Sequence, residues 1–471
     1  MSPKLFAKDS VQTLAEFEQQ ALCVADVLRE QGIQAGSRVL FKASNSAAYV
    51  STLLALMHVG ASIVLLDYQE NAEQTTAIAR RASAKFVLVS DDAPIAEDET
   101  PVFLYELLVA AGGRRPSDER LCFDTWCELP DGLIMWSSGS TGTPKGVVKN
   151  GGNFLRNLER NAKQVGHTSS DALLPLLPFS HQYGLSMVLI AWLVRCSLII
   201  APYRRVDHAL HMGLQCGATV IDATPATYRS IHNIVRKRTG LRERLRSVRM
   251  FCVGAAPLDQ PLSDTYVEMF GLPLLDSYGS TELGNVAFAT LDNPVGCGKV
   301  MEGLDLRIVG EDGDPNNPLP PNELGEIVVL CPDMMEGILD ENGELDVADR
   351  GWYHTNDLGY LTEDGNLFVS GRKYAVNRKG YTLYPELLER KVAAAGCSAR
   401  IVALPDERQG SQLIFFVEDD LGRDARYWRD VIDGVLPVYE QPNRVEVLAN
   451  FPLNRNGKPD KKALEKLAAQ Q

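Results

Sequence analysis

Leu133-Ile134-Met135-Trp136-Ser137-Ser138-Gly139-Ser140-Thr141-Gly142-Thr143-Pro144-Lys145-Gly146 is an apolar run that ends abruptly in a loop of glycines, hydroxyls and one lysine. Four apolar residues bounded by turn formers have the length of a buried strand. In the loop, glycines let the backbone come close to phosphate oxygens, hydroxyls can donate to those oxygens, and Lys145 adds positive charge. The loop is not the P-loop of kinases and ATPases, because no Ser or Thr follows the lysine and the glycine spacing differs. A flexible Ser/Gly linker has similar composition, but a linker rarely follows a buried strand directly.

Upstream of this loop the chain alternates helical and strand patterns. Thr13–Gln31 carries apolar residues at helical spacing and stops at Gly32; Arg38–Lys42 reads as a strand, Tyr49–Val59 as a helix, and Ala61–Leu66 and Phe86–Ser90 as further strands. Such alternation predicts layered α/β structure around a mostly parallel sheet. Gly112–Asp118 reads as a loop, and Leu185–Ile200 as a buried helix running into a strand. Downstream, Gly296–Leu330 changes to short strands with many turns, a small β unit. After Gly371 about a hundred residues remain, enough for a small α+β domain. A length of 471 residues likewise exceeds one ordinary core.

With 45% hydrophobic and 23% charged residues the chain is globular, and a net charge of −14 weighs against a general nucleic-acid binder. No apolar window is long and clean enough for a membrane span. The N-terminus, MSPKLFAKDSVQTLAEF, lacks the charged start and apolar core of a signal peptide. The 9 cysteines are odd in number and lack a CxxC pair, so reduced thiols and a cytoplasmic location are expected.

The loop at 137–146 resembles the signature of the adenylate-forming superfamily: acyl- and aryl-CoA synthetases, peptide-synthetase adenylation domains and luciferases. The resemblance continues in order from Asn45-Ser46 to Lys458 and covers essentially the whole length. It implies an AMP-forming ligase that joins a carboxylic acid to ATP as acyl-AMP, releases pyrophosphate, and passes the acyl group to a thiol. The implied architecture is α/β: a large N-terminal domain (1–371) of layered α/β subdomains plus a small β-barrel-like unit, then a mobile α+β lid (372–471).

The resemblance also carries residue roles. Ser137, Ser138, Gly139, Ser140, Thr141, Gly142 and Lys145 would hold phosphates. Gly254-Ala255-Ala256, after the strand Met250–Val253, would leave a flat slot for adenine. In Asp276-Ser277-Tyr278-Gly279-Ser280-Thr281-Glu282, Tyr278 would stack on adenine, Thr281 would donate to the α-phosphate, and Glu282 would hold Mg2+. Asp357 would accept from both ribose hydroxyls, and Arg372, fifteen positions later, completes the family's ribose pair. The family usually has glycine where Asn356 stands, and Asn tolerates the left-handed conformation better than most residues. The hinge is expected near 372–374, with Lys373 as pivot; the following segment is one residue short, so an Asp often found there falls on Tyr374. Lys458, in Asn456-Gly457-Lys458-Pro459-Asp460-Lys461, would bridge the attacking carboxylate and the α-phosphate.

The acyl pocket is expected to start at Pro178-Phe179-Ser180-His181-Gln182-Tyr183, with His181 as gate. Members that activate amino acids usually carry Asp just after the gate, paired with the substrate ammonium. Gln182 stands there with no acid nearby in sequence, and a buried ammonium would lack a partner. An aryl or other non-amino acid is therefore favoured over a free-standing amino-acid adenylation enzyme. Asp222-Ala223-Thr224-Pro225-Ala226-Thr227-Tyr228 is expected to supply the opposite wall, with small residues admitting bulk and Tyr228 closing the end; Thr224 and Gly279 are expected to border the acid. The thiol would belong to coenzyme A or to the phosphopantetheine arm of a carrier protein. Arg236, Lys237, Arg238, Arg242, Arg244 and Arg246 form a basic cluster in an acidic chain. That cluster reads either as a solvated face or as a dock for the acceptor.

Overall fold

The computed structural model describes residues 3–470 except 97–99, 138–144, 373, 375, 379–380, 407–409 and 455–456. Two large sheets form the first part of the chain. The first has nine strands, and its middle is parallel: Leu274–Ser280, Met250–Val253, Val220–Ala223, Ala172–Pro175, Ser197–Ile199 and Lys4–Ala7, in that spatial order. The second has eight strands and is parallel through Leu133–Ser137, Ser62–Leu66, Arg38–Lys42 and Phe86–Val89. Between the sheets packs a shared apolar cluster containing the helices Ala47–Val59 and Gln182–Val194. Both helices are apolar nearly all round, as burial on every side demands.

Local chemistry sets the element ends. Thr13 and Glu16 form a reciprocal capping box at the start of Leu14–Glu30. Ser46 caps Ala47–Val59 through the Tyr49 N–H at 3.0 Å, and Gly60, at φ +79°, ends it. The strand Leu133–Ser137 pairs antiparallel with Lys145–Lys149, so residues 138–144 join two hairpin strands.

The small β unit is a four-stranded antiparallel sheet of Asp305–Val309, Gly325–Leu330, Tyr353–Leu361 and Leu367–Arg372. Beyond it the chain builds separate sheets, Val376–Arg378 with Tyr381–Leu383, and Ala399–Asp406 with Gly410–Glu418 and Arg444–Leu448. These carry their own apolar clusters around Phe415 and Phe416. Arg372 thus ends the last strand of the N-terminal unit, and the pivot candidate Lys373 lies outside the described residues.

The two units touch through the helix Pro385–Ala393. Its Glu386 accepts from the Arg372 N–H, and Arg390 donates to the Val369 carbonyl. All nine cysteines are free thiols. Among the described residues no helix is long and apolar enough to cross a membrane.

Candidate active site

The carboxyl ends of the central parallel strands are where ligands gather in open α/β sheets, and four expected segments begin there. Ala172–Pro175 leads to His181, Val220–Ala223 to Thr224, Met250–Val253 to Gly254, and Leu274–Ser280 to Glu282. Asn45 fixes the first of these: its amide donates to the Leu177 carbonyl at 2.8 Å and accepts from the Phe179 N–H at 2.9 Å. Tyr49 adds a hydrogen bond to the Phe179 carbonyl at 3.0 Å. His181 then stands just before the helix Gln182–Val194, with Nε2 3.6 Å from an Asp67 carboxylate oxygen, beyond hydrogen-bond reach.

The slot expected to receive adenine is tight. A Cβ on Gly254 would lie 2.4 Å from the Ser277 hydroxyl and 3.3 Å from the Tyr183 ring, so only glycine fits. Ser277 is held there by donating to the Val253 carbonyl at 2.9 Å. Ala255 follows at φ +66°, a conformation costly for a residue with a side chain. Within Leu274–Ser280 the pairing register shifts between Tyr278 and Gly279, and a Cβ at Gly279 would lie 2.4 Å from the Gly284 carbonyl. Such an irregularity re-aims the residues after it, here Ser280, Thr281 and Glu282.

Asp276 is half-buried; its carboxylate accepts from the Ser277 N–H at 2.9 Å and from the Cys297 thiol at 3.5 Å. Burial pushes its carboxyl up to about 7 against these two bonds, which pull it down. The folded chain therefore keeps this proton where an unfolded chain has lost it. Asp276 costs stability progressively as pH rises from about 4 to about 7, and the cost is complete above that. The variant Asp276→Asn should match the parent Tm near pH 4, exceed it increasingly up to about pH 7, and keep a constant margin above that. A Tm difference that stays flat across that range would show that Asp276 ionises normally.

Asp357 and Arg372 face each other directly across the hairpin of Tyr353–Leu361 and Leu367–Arg372. Arg372 Nε meets Asp357 Oδ1 at 2.8 Å, and the Tyr278 hydroxyl donates to Oδ2 at 2.6 Å. The fifteen-residue interval is the length of this hairpin. Asn356 takes φ +57°, the left-handed conformation expected for the residue standing at the family's glycine. Burial raises the Asp357 carboxyl although Arg372 and Tyr278 act to lower it.

Lys458 arrives from the far end of the chain. Asn454 shapes its turn: the Lys458 N–H donates to Asn454 Oδ1 at 3.0 Å, and the Asn454 N–H donates to the Lys458 carbonyl at 2.7 Å. A Cβ on Gly457 would lie 3.5 Å from the Thr224 hydroxyl, so the turn reaches the N-terminal unit. Burial lowers the Lys458 amine, Arg372 lowers it further, and Asp357 pulls it back. The lysine therefore lies within the electrostatic reach of the Asp357–Arg372 pair.

Glu282 is half-buried and close enough to Tyr353 and Lys149 to act on their protons. Among the described residues no group of three or more His, Cys, Asp or Glu could hold a metal without other ligands. One free-standing carboxylate suits a hard cation whose remaining ligands are phosphate oxygens and water, which fits Mg2+.

Not every expected residue gathers here. Ser138, Gly139, Ser140, Thr141 and Gly142 lie outside the described residues; the backbone of Ser137 and Lys145 flanks them as paired strand ends. Tyr228 is no pocket wall. It is fully buried in the apolar cluster on the other face of the nine-stranded sheet, and its hydroxyl donates to the Ile221 and Cys252 carbonyls. The basic cluster gathers around the end of Pro225–Lys237, on the order of 20 Å along that helix from Thr224. The acid that Gln182 lacks in sequence is supplied by the fold: the Tyr183 hydroxyl donates to Asp222 at 3.0 Å.

Comparison with known proteins bears on the fold and the family. The chain is 26% identical over 465 residues to 2-succinylbenzoate--CoA ligase of Bacillus cereus, covering 97% of this chain and 93% of that one. It superposes on the ATP-bound crystal structure of MatB from Rhodopseudomonas palustris with a TM-score of 0.87 at 23% identity, covering 99% and 95% of the two chains. The apo form of MatB, with the same identity and coverage, gives 0.76. The Bacillus subtilis o-succinylbenzoate coenzyme A synthetase (MenE), in complex with ATP and magnesium, gives 0.81 at 22% identity, covering 98% and 97%. A sequence profile described as AMP-binding enzyme matches residues 3–339. With well over half of its length matched, the chain belongs to the AMP-binding enzyme family.

Proposed function

We propose that this protein uses ATP to activate a carboxylic acid, aryl or otherwise lacking an α-amino group, and passes the acyl group to coenzyme A. The observation that carries the reading is the arrival of the Lys458 turn beside Thr224, with the lysine amine within electrostatic reach of Asp357 and Arg372. In the first half-reaction a carboxylate oxygen attacks the α-phosphorus, the bond to the bridging oxygen breaks, and pyrophosphate leaves. In the second a thiol sulfur attacks the acyl carbon, loses its proton, and AMP leaves.

The first step brings an anion to an anion, so positioning and neutralisation are its main needs. Tyr278, with Gly254, Ala255, Ala256, Asp276, Ser277, Gly279 and Ser280, would receive adenine, and Asp357 and Arg372 the ribose. Thr281, Lys145 and the loop from Ser137 to Gly142 would donate to the phosphates. Glu282 would hold Mg2+, which supplies charge neutralisation at the phosphates when bound. Lys458 would donate to the oxygens that gain charge in the transition state, and His181, Gln182, Tyr183 and Thr224 would border the acid. For the second step the C-terminal unit, about residues 372–471, would turn about 372–374 and bring Lys379-Gly380-Tyr381 toward the site.

Coenzyme A is favoured as acceptor by the relatives named CoA ligases. The same names weigh against an amino-acid-activating enzyme. The remote position of the basic cluster supports its being a solvated face, and a carrier protein would need another dock. Pyrophosphate exchange with ATP, Mg2+ and a panel of aryl, aliphatic and amino acids tests the reading, followed by thioester formation with coenzyme A or a carrier protein. Exchange should vanish when EDTA removes the metal. Absence of exchange with every acid would end the proposal.

A further inference from the structure

Strand alternation splits Val220–Ala223 between the two faces of its sheet. Ile221 and Ala223 join the cluster of Tyr228, Phe251 and Val253, whereas Val220 packs with Cys252 on the side of Tyr183 and the helix Gln182–Val194. Asp222 shares that second face. It is 1% exposed; one carboxylate oxygen accepts from Tyr183, and the other, Oδ2, is buried with no hydrogen-bond partner among the described residues.

The surroundings offer acceptors. Tyr183 has one hydroxyl proton and gives it to Asp222, so its oxygen presents lone pairs. Gln182 Oε1 is also buried without a partner among the described residues. The Tyr183 ring borders Gly254 at the nucleotide slot, and Asp222 lies two residues before Thr224, where the Lys458 turn arrives. The excess of acceptors therefore sits where the acid is expected. Buried polar groups are normally satisfied; burial pushes the Asp222 carboxyl up to about 7, so it is above that pH that Oδ2 stands as a charged acceptor with no donor among the described residues.

We infer that the acid taken by this site carries a hydrogen-bond donor, a hydroxyl or amino group remote from its reacting carboxylate, which engages Asp222 and Tyr183. This rests on the acid-activating reading above and names the substrate class more closely. A hydrocarbon acid leaves the acceptor unmet, and a second carboxylate on the substrate meets a like charge. Asp222 and Tyr183 then select the substrate rather than merely strapping a helix to a sheet.

The test is pyrophosphate exchange by the full chain with ring-substituted benzoates that differ in one group: hydroxyl, amino, methyl, chloro or a second carboxyl. The parent should favour hydroxyl or amino over methyl or chloro by roughly 10²-fold or more in kcat/KM, because a site built to bind a donor rejects analogues lacking it. Asp222→Leu should erase that ratio while its exchange with the methyl acid stays within about tenfold of the parent. Tyr183→Phe, a milder change, should shrink the ratio without erasing it. Parent enzyme that takes methyl or chloro acids as readily as hydroxy acids, or prefers the dicarboxylate, overturns the inference and leaves acid activation standing. An unchanged ratio in Asp222→Leu overturns it too, leaving only a strap. Failure with every benzoate but exchange with a hydrocarbon aliphatic acid overturns this inference alone; failure with the benzoates and with the wider panel of aliphatic and amino acids overturns acid activation itself.

Discussion

Lys458→Ala should reduce pyrophosphate exchange by roughly 10²–10³-fold, the size of losing one donor aimed at charge that develops in a transition state. The loss should fall mainly on kcat. A donor aimed at charge that develops only in the transition state acts on kcat more than on KM. Its turn is held by both the side chain and the backbone of Asn454, so the substitution removes an amine without undoing the loop. Thioester formation from added acyl-adenylate should be far less affected, because that step involves no attack on phosphorus. Near-normal exchange in this variant would exclude Lys458 from the chemistry.

The second large effect is expected at Asp357. Both of its carboxylate oxygens are engaged, one by Arg372 and one by the Tyr278 hydroxyl. If Asp357 holds the ribose, Asp357→Ala loses two hydrogen bonds to a charged group, each worth about 1.5 kcal/mol or more. That corresponds to roughly 10²-fold or more in kcat/KM for ATP. The ribose assignment makes a finer prediction. The parent should discriminate against 2′-deoxy-ATP, and Asp357→Ala should treat the two nucleotides nearly alike. If the variant is weak yet keeps the discrimination, Asp357 serves the hairpin and not the sugar.

Much of the site is legible in the residues because it is local. The hairpin that opposes Asp357 and Arg372 follows from a fixed interval, and Asn356 announces its left-handed turn by standing where glycine is usual. Helix ends at Thr13, Ser46 and Gly60 are written in capping residues. What escaped the sequence is long-range. Tyr228 belongs to the same short stretch as Thr224, and its spacing does not show that the helix turns it to the far face of the sheet. Asp222 opens the stretch expected to wall the pocket, but its partner Tyr183, thirty-nine residues earlier, shows only once the chain is folded. Asn45 clamps residues more than a hundred positions away. Glu386 and Arg390, one helical turn apart, grip the backbone of Val369 and Arg372; i,i+4 charge alone would suggest only a surface pair.

The last strand before residue 373 has a mechanical consequence. Its terminal residue, Arg372, grips the Asp357 side chain and in the same stroke hands the chain over to the C-terminal unit. A swing of that unit about 372–374, as proposed above, would tug on the arginine, so the proposed hold on the sugar and the angle of the swing would be geared together. A turn that exposes the activated acyl group to a thiol would also slacken the grip on the spent nucleotide, and a nucleotide that refuses to leave would act as a brake on the return.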